Sequence, residues 1–344
     1  MSAAPLVVCV HHPAAVDVER LRSAVGDVAR PIEIVVQPFK ESVALRRARQ
    51  SPPVDAGLLA KAPVPDASIL EAWARAEVLL TLDLPVAWLD RMPRLRFVQA
   101  YSAGTEHFPR EALEARGIAL ANAAGAGAAP IAEFVFGRLV EVFRNLRGID
   151  AMQRERAFHR PGGRSLAGCT LGIVGLGAIG TACARLAGAF GMRVVATRRS
   201  AGPGAVSDEV DALHGPEGLP RLLAESDVVV LAAPATPETE GLIDAGALAR
   251  MKTGAVLCNV ARGALVDEAA LCAALESGRL AAAILDVTRA EPLPPDDPLW
   301  SAPNLYLSPH CSIPPDAYDE RLLALFAENV RVWGQGGSLR NRVV

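Results

Sequence analysis

The chain has almost no excess charge of either sign: 35 basic and 38 acidic side chains leave a net −3 over 344 residues. Without a broad positive field, neither nucleic acid nor an anionic membrane is expected as a partner. The basic group Arg46, Arg47 and Arg49 lacks the interleaved aromatics of a single-strand binding surface and reads as a solvated helix face. No apolar run approaches the roughly 18 uncharged residues of a membrane span. The start, Met1 to Pro13, has no basic leader and runs directly into the strand-like Leu6–Val10, so no signal or transit peptide is expected. The six cysteines, at 9, 169, 183, 258, 272 and 311, form no Cys-x-x-Cys pair, which speaks against zinc. Most sit in apolar runs, as reduced thiols do, and this suggests a cytoplasm-like compartment.

What is present is apolar: 51% of residues are hydrophobic and 21% charged. A single core stops growing at about 250–300 residues, so two domains are expected. Leu6–Val10, Ile32–Val36, Val78–Thr81 and Leu95–Gln99 read as strands, with an amphipathic helix over about Val16–Val28. This is the alternation of a parallel α/β sheet. Glu41 to Pro65, with Pro52, Pro53, Pro63 and Pro65, reads as a partly helical surface excursion. The Ala/Gly stretch Ala123–Pro130 reads as a hinge feeding one long helix over about Ile131–Arg154. A second alternation follows, with strands at 171–175, 193–197, 228–232, 255–259, 281–286 and 305–307. Six strands fit a doubly wound sheet. The last helix, about Tyr318–Trp333, is expected to return to the first domain.

The segment Leu171-Gly-Ile-Val-Gly175-Leu-Gly177-Ala-Ile-Gly180 closes a strand and opens a small-residue helix, the context in which Gly-x-Gly-x-x-Gly binds a dinucleotide. Gly175 permits the tight turn, Gly177 lets backbone approach a pyrophosphate, and Gly180 lets helix pack on strand. The N–H groups of Ala178 and Ile179 would face the phosphates at the positive end of the helix. NAD normally requires an acid at the end of the next strand. Here stand Thr197, Arg198, Arg199 and Ser200, a guanidinium pair suited to a 2′-phosphate. NADP(H) is therefore expected as the cofactor. The alternative, that both arginines are solvated strand-end charges, leaves NAD(H) possible.

Arg262, Glu291 and His310 fall at or soon after the ends of later strands, where open α/β sheets bind their ligands. Their combination fits hydride transfer between a dinucleotide and a 2-oxo/2-hydroxy acid. Arg262 would hold the substrate anion and polarise its carbonyl. His310 would protonate the developing alkoxide near neutral pH. Glu291 would orient the imidazole and favour its charged form. Asp286 would position the nicotinamide carboxamide.

With these residues stand Ser102-Ala-Gly-Thr-Glu-His107, Gly168–Gly180, Pro234-Ala-Thr-Pro-Glu-Thr239, Asn259-Val-Ala-Arg-Gly263, Leu285-Asp-Val287, Glu291-Pro292, Ser308-Pro-His310 and Leu325-Phe-Ala-Glu-Asn-Val330. Together they resemble the D-isomer-specific 2-hydroxyacid dehydrogenases over nearly the whole length, and in their Arg198 the NADPH-using glyoxylate and hydroxypyruvate reductases. The resemblance implies a flavodoxin-like substrate domain, 1–125 and 312–344, and an inserted Rossmann dinucleotide domain, 126–311, with a substrate cleft between them. It implies Arg262, Glu291 and His310 as the catalytic set. It further implies that the backbone of Ser102, Ala103 and Gly104 grips the substrate carboxylate, and that Pro234, Thr239, Val260 and Ala261 line the cofactor. A homodimer joined through the dinucleotide domains is also implied. Phe158 stands where such proteins often carry tryptophan. Cys311 reads as a small packing residue, with a reactive thiol the alternative. Two rival functions share these features: a dinucleotide-sensing, corepressor-like binding protein, and a formate or phosphite dehydrogenase. Formate enzymes of this group carry glutamine where Glu291 stands.

Overall fold

A computed structural model describes residues 4–11, 16–26, 28, 30–37, 42, 44, 45, 48, 55–62, 64–105 and 107–344. Part of the excursion expected from Glu41 to Pro65 lies outside the described residues, including Arg46, Arg47, Arg49, Pro52, Pro53 and Pro63. Its described part holds a short helix, Ala56–Leu59, capped by Asp55, which accepts the Leu58 N–H. The chain divides into two units: one runs to Ala126 and resumes over Tyr318–Val344, and the other spans Gly127–Ala317.

Among the described residues the first unit carries five parallel strands: β1 (Leu6–His11), β2 (Ile32–Gln37), β3 (Val78–Thr81), β4 (Phe97–Ala100) and β5 (Ala119–Ala121). Their order, β2-β1-β3-β4-β5, is the flavodoxin-like one. Strands β1, β3 and β4 are buried at every position, because helices cover both faces. Side chains alternate with period two. Val8, Val10, Leu80 and Phe97 meet Leu322, Phe326 and Val330 of the helix Pro315–Gly334. Cys9, Leu79 and Val98 meet Ile69 and Trp73 of the helix Ala67–Arg75 on the other face. The spacing of Leu322, Phe326 and Val330 places them in one stripe, and each fully buried side chain of this kind contributes about 1.5–3 kcal/mol. Tyr318 donates to the Tyr101 carbonyl, and Tyr101 donates to Asp319, pinning the start of that helix to the end of β4. The three-residue β5 is an addition to the strands read from the sequence.

His11 ends β1 fully buried, its Nε2 accepting from Trp73 Nε1 at 2.6 Å. Burial pushes its pKa from 6.5 down to about 4. The folded chain thus refuses a proton that the unfolded chain takes up below about pH 6.5. Stability is expected to fall by on the order of 3 kcal/mol as pH drops from about 6.5 to 4. Urea unfolding at several pH values checks this. An unchanged pH slope in His11→Gln would remove His11 as the source.

The second unit has seven parallel strands: β6 (Thr170–Val174), β7 (Arg193–Thr197), β8 (Ala212–His214), β9 (Val228–Leu231), β10 (Ala255–Asn259), β11 (Leu280–Leu285) and β12 (Leu305–Leu307). The order β12-β11-β10-β9-β6-β7-β8 is a Rossmann sheet with one strand beyond the expected six. The extra strand, β8, is a three-residue edge partner of β7, too short to leave a periodic signal. One face packs on the helices Ala128–Phe143 and Ala178–Ala189, and the other on Leu222, Leu248 and Leu271. The single helix expected over Ile131–Arg154 is two, Ala128–Phe143 and Leu146–Glu155. Asn145 between them adopts a left-handed conformation, φ 51°, which breaks the run. Cys9, Cys183 and Cys258 are buried and all six thiols are free, but Cys311 is exposed where packing was expected.

Candidate active site

Every loop bearing a candidate residue of the second unit leaves the C-terminal edge of its parallel sheet. After β6, Gly175 takes φ 100°, and a Cβ there would lie 2.7 Å from the Ala233 nitrogen. A Cβ on Gly180 would lie 2.4 Å from the Gly175 carbonyl oxygen, so glycine is required for the helix to start this close to the strand. A Cβ on Gly177 would meet nothing within 4 Å, which leaves open space over the turn. The helix Ala178–Ala189 has no side-chain cap, so the N–H groups of Ala178 and Ile179 stay available at its positive end. Glycine backbone, open space and uncapped donors together fit a pyrophosphate.

After β7, the buried Thr197 offers its carbonyl to the N–H groups of Gly175 and Leu176, at 3.0 and 2.9 Å. This bond ties the glycine turn to the strand end that bears the arginines. Arg198, Arg199 and Ser200 are exposed, and the Arg198 N–H donates to the His214 carbonyl at 2.9 Å. The strand end that bears the two arginines, with no acid between them in sequence, is thus tied to the dinucleotide turn.

Strands β10, β11 and β12 deliver the other three groups. His310 Nδ1 donates to Glu291 Oε2 at 2.9 Å, which leaves Nε2 as the nitrogen able to exchange a proton with a substrate. The Glu291 hydrogen bond raises the His310 pKa above 6.5; burial opposes this, the charges of Glu291 and Asp286 add to it, and Arg262 works against it. The imidazole is about half exposed and Glu291 a quarter exposed, so the couple is anchored on one side and open on the other. Arg262, half-buried, follows β10, its Nη1 donating to the Ala261 carbonyl at 2.8 Å.

Three supporting residues were not assigned these roles from the sequence. Asn259, fully buried, donates from Nδ2 to the Arg262 carbonyl at 2.8 Å and accepts the Ala261 N–H at 3.0 Å. It thereby shapes the turn that presents the guanidinium. Asp286, also buried, accepts from Ser308 Oγ and the Cys311 N–H at 2.9 Å each through Oδ1, and from the Ser312 N–H at 3.1 Å through Oδ2. Its carbonyl takes the His310 N–H at 2.8 Å, so it scaffolds the turn where His310 holds φ 54°. Gly263 lets two loops touch: a Cβ there would lie 2.0 Å from the Thr288 carbonyl carbon. A polar residue at the end of a buried strand, and a glycine directly after the candidate arginine, were the available signals.

Comparison with known proteins fits this geometry. The NAD-binding domain of the D-isomer specific 2-hydroxyacid dehydrogenases matches residues 136–312, just over half of the chain. The chain belongs to that family. A glyoxylate reductase of Korarchaeum cryptofilum is 36% identical over 269 residues, covering 75% of this chain and 79% of the relative. A D-3-phosphoglycerate dehydrogenase of Mycobacterium tuberculosis is 35% identical over 77% of this chain, but only 50% of the relative is spanned. Among solved structures, a 2-hydroxyacid dehydrogenase family protein of Aeromonas salmonicida aligns over 99% of both chains, with a TM-score of 0.78 and 27% identity. Another, from Xanthobacter autotrophicus in complex with NADPH and MES, aligns over 98% of both, with a TM-score of 0.74 and 29% identity.

As a member of this family the protein is an NAD(P)-dependent oxidoreductase acting on the CH–OH group of 2-hydroxy acids. Thr239 turns its hydroxyl into its own loop, donating to the Pro234 carbonyl at 2.7 Å and accepting the Thr236 N–H at 2.8 Å, so it shapes the loop after β9. Val260 and Ala261, directly before Arg262 in the chain, are buried. Ser102, Ala103 and Gly104 belong to the first unit, where Ser102 Oγ donates to the Gly104 carbonyl at 2.5 Å and Asn122 Nδ2 to the Ala103 carbonyl at 2.8 Å. Phe158 is fully exposed. No described helix is long and apolar enough to cross a membrane.

Proposed function

We propose that the protein is an NADPH-dependent reductase of small 2-oxo acids, glyoxylate and hydroxypyruvate foremost, yielding D-2-hydroxy acids. The observation that carries this reading is the 2.9 Å His310–Glu291 couple on the same sheet edge as the dinucleotide turn. A nicotinamide dinucleotide, when bound, supplies the hydride. The glycine turn with Ala178 and Ile179 would hold its pyrophosphate. Pro234, Val260 and Ala261 would line it, with Thr239 shaping that wall. Asp286, whose Oδ2 accepts a single N–H in the turn it scaffolds, keeps acceptor capacity for the carboxamide. Arg262 would pair with the substrate carboxylate, helped by backbone of Ser102–Gly104, and polarise the C2 carbonyl. His310, kept protonated by Glu291, would give its Nε2 proton to the C2 oxygen. The domain roles follow: dinucleotide binding and the Arg262, Glu291 and His310 set in the second unit, backbone contacts to the substrate in the first.

A homodimer through the second unit is part of this proposal. The helix Leu146–Glu155 has no buried residue, and Leu146, Ile149 and Phe158 are exposed. Nucleic acid, membrane and metal have no place in it, and the proposed setting is cytoplasmic. The corepressor-like and formate or phosphite readings have no specific observation in their favour. The test is NADPH consumption across a panel of 2-oxo acids. Oxidation with glyoxylate or hydroxypyruvate is expected, and none with any member would defeat the reading.

Arg198 and Arg199 support the cofactor preference. Arg198→Asp is expected to weaken NADPH by about tenfold or more, the value of one charge-assisted bond, and to shift kcat/KM toward NADH. An unchanged ratio of kcat/KM for the two cofactors would count against a 2′-phosphate site there.

A further inference from the structure

The loop from Asp286 to Glu291 has to place the Glu291 carboxylate against His310, and its fastenings can be traced. The Asp286 N–H is held by the Asn259 carbonyl at 3.0 Å. Thr288 donates its N–H to Glu291 Oε1 at 3.2 Å and its hydroxyl to the Ala290 carbonyl at 2.7 Å. These bonds set the carboxylate relative to the loop. The loop in turn needs an anchor on the body of the unit. The Arg289 N–H donates to Glu268 Oε1 at 2.6 Å, a short charge-assisted bond at the point where Gly263 admits the loop backbone. Arg289 Nη1 also lies 3.5 Å from Glu240 Oε1, an exposed pair that contributes little.

Resting on the reading of His310 as proton donor, we propose that Glu268 is a positioning residue for the His310–Glu291 couple. Its carboxylate clamps the Arg289 N–H, fixes the loop, and so fixes which way Glu291 faces the imidazole. Glu268 opens the helix Glu268–Glu276, whose Asp267 cap accepts the Ala270 N–H at 3.0 Å, so the clamp stands on a capped, packed element.

The electrostatics support a role other than stability. Burial, with repulsion from Asp297 and Asp267, holds the Glu268 carboxyl above the usual carboxylate range, while the Arg289 N–H and guanidinium oppose this; Cys272 on the same helix also senses its charge. A carboxyl with a raised folded pKa destabilises the fold when ionised, at neutral pH, and that penalty disappears as pH falls. Removing the charge while keeping the acceptor should therefore leave thermal stability intact.

Three variants test the proposal in the full chain. Glu268→Ala is expected to lower kcat on glyoxylate by about tenfold, and by at most about 10²-fold. It should also move the His310 NMR titration midpoint down toward the ordinary histidine value and leave the Kd for NADPH unchanged. Glu268→Gln, which keeps an acceptor oxygen, should restore most of kcat and of the midpoint. Asp267→Ala, which strips the cap from the same helix, should lower Tm without moving the His310 midpoint. A Glu268→Ala protein with the wild-type midpoint and kcat overturns the clamp, and so does an Asp267→Ala midpoint displaced as far as that of Glu268→Ala. If the wild-type chain reduced no 2-oxo acid, the functional reading would fall, while the titrations would still decide whether Glu268 positions the couple.

Discussion

His310→Gln is expected to lose about 10²–10⁴-fold in turnover of glyoxylate, the usual worth of a positioned proton donor, while binding NADPH as the wild type does. The imidazole is held by its Nδ1–H bond to Glu291, while the backbone N–H of His310 bonds the Asp286 carbonyl, so the exchange removes the titrating group and leaves the turn's main-chain scaffold in place. The dinucleotide turn leaves a different strand, β6, and makes no hydrogen bond through the His310 side chain. Turnover on glyoxylate and NADPH fluorescence titration read the two expectations separately. Loss of cofactor binding along with activity would show that the turn, not the proton, had been damaged.

Gly263→Ala is expected to be the most damaging single-methyl change near the site. The new Cβ would meet main chain, 2.0 Å from the Thr288 carbonyl carbon and 2.3 Å from the Arg289 nitrogen, and main chain has no rotamer with which to yield. Forced overpacking costs about 3 kcal/mol, or about 6–12 °C in Tm for a unit of this size. The two loops it pries apart carry Arg262 and Glu291, so kcat should fall by about 10²-fold even in protein that stays folded. Thermal melts and steady-state kinetics on the same preparation check both. An alanine variant with wild-type Tm would mean that the loops separate freely and that their contact does not hold the site.

Much of this molecule was legible in its sequence because its signals are local. Buried parallel strands announce themselves as apolar runs, and β3 was read with its observed limits, Val78–Thr81. The Gly175–Gly180 turn couples a strand pattern to a helix pattern across a few residues, and backbone geometry leaves few alternatives. What escaped was either short or non-local. Strands β5 and β8, three residues each, are edge strands stabilised by a neighbour and carry no period of their own. The break at Asn145 interrupts a run whose apolar spacing continues on both sides, so only backbone conformation reveals it. In the site, residue types that carry charge through chemistry were recognisable, whereas their supports were not. Asp286 grips Cys311 and Ser312, 25 and 26 residues away, and Glu268 grips the Arg289 N–H, 21 residues away. Such bonds pair a side chain with main chain, whose identity at the partner position leaves no trace in composition or spacing.

Reduction as proposed depends on one proton: Glu291 must keep it on the imidazole until His310 gives it to the reduced oxygen. The measurement that tests this most directly is the pH dependence of kcat/KM for 2-oxo acid reduction in wild type and Glu291→Gln. Because the Glu291 bond raises the His310 pKa above 6.5, wild-type reduction should persist past that value and decline only as the imidazole deprotonates. In Glu291→Gln the decline should begin at lower pH. A wild-type rate that rises through this range, or two profiles that coincide, would contradict the assignment of the couple as the proton donor.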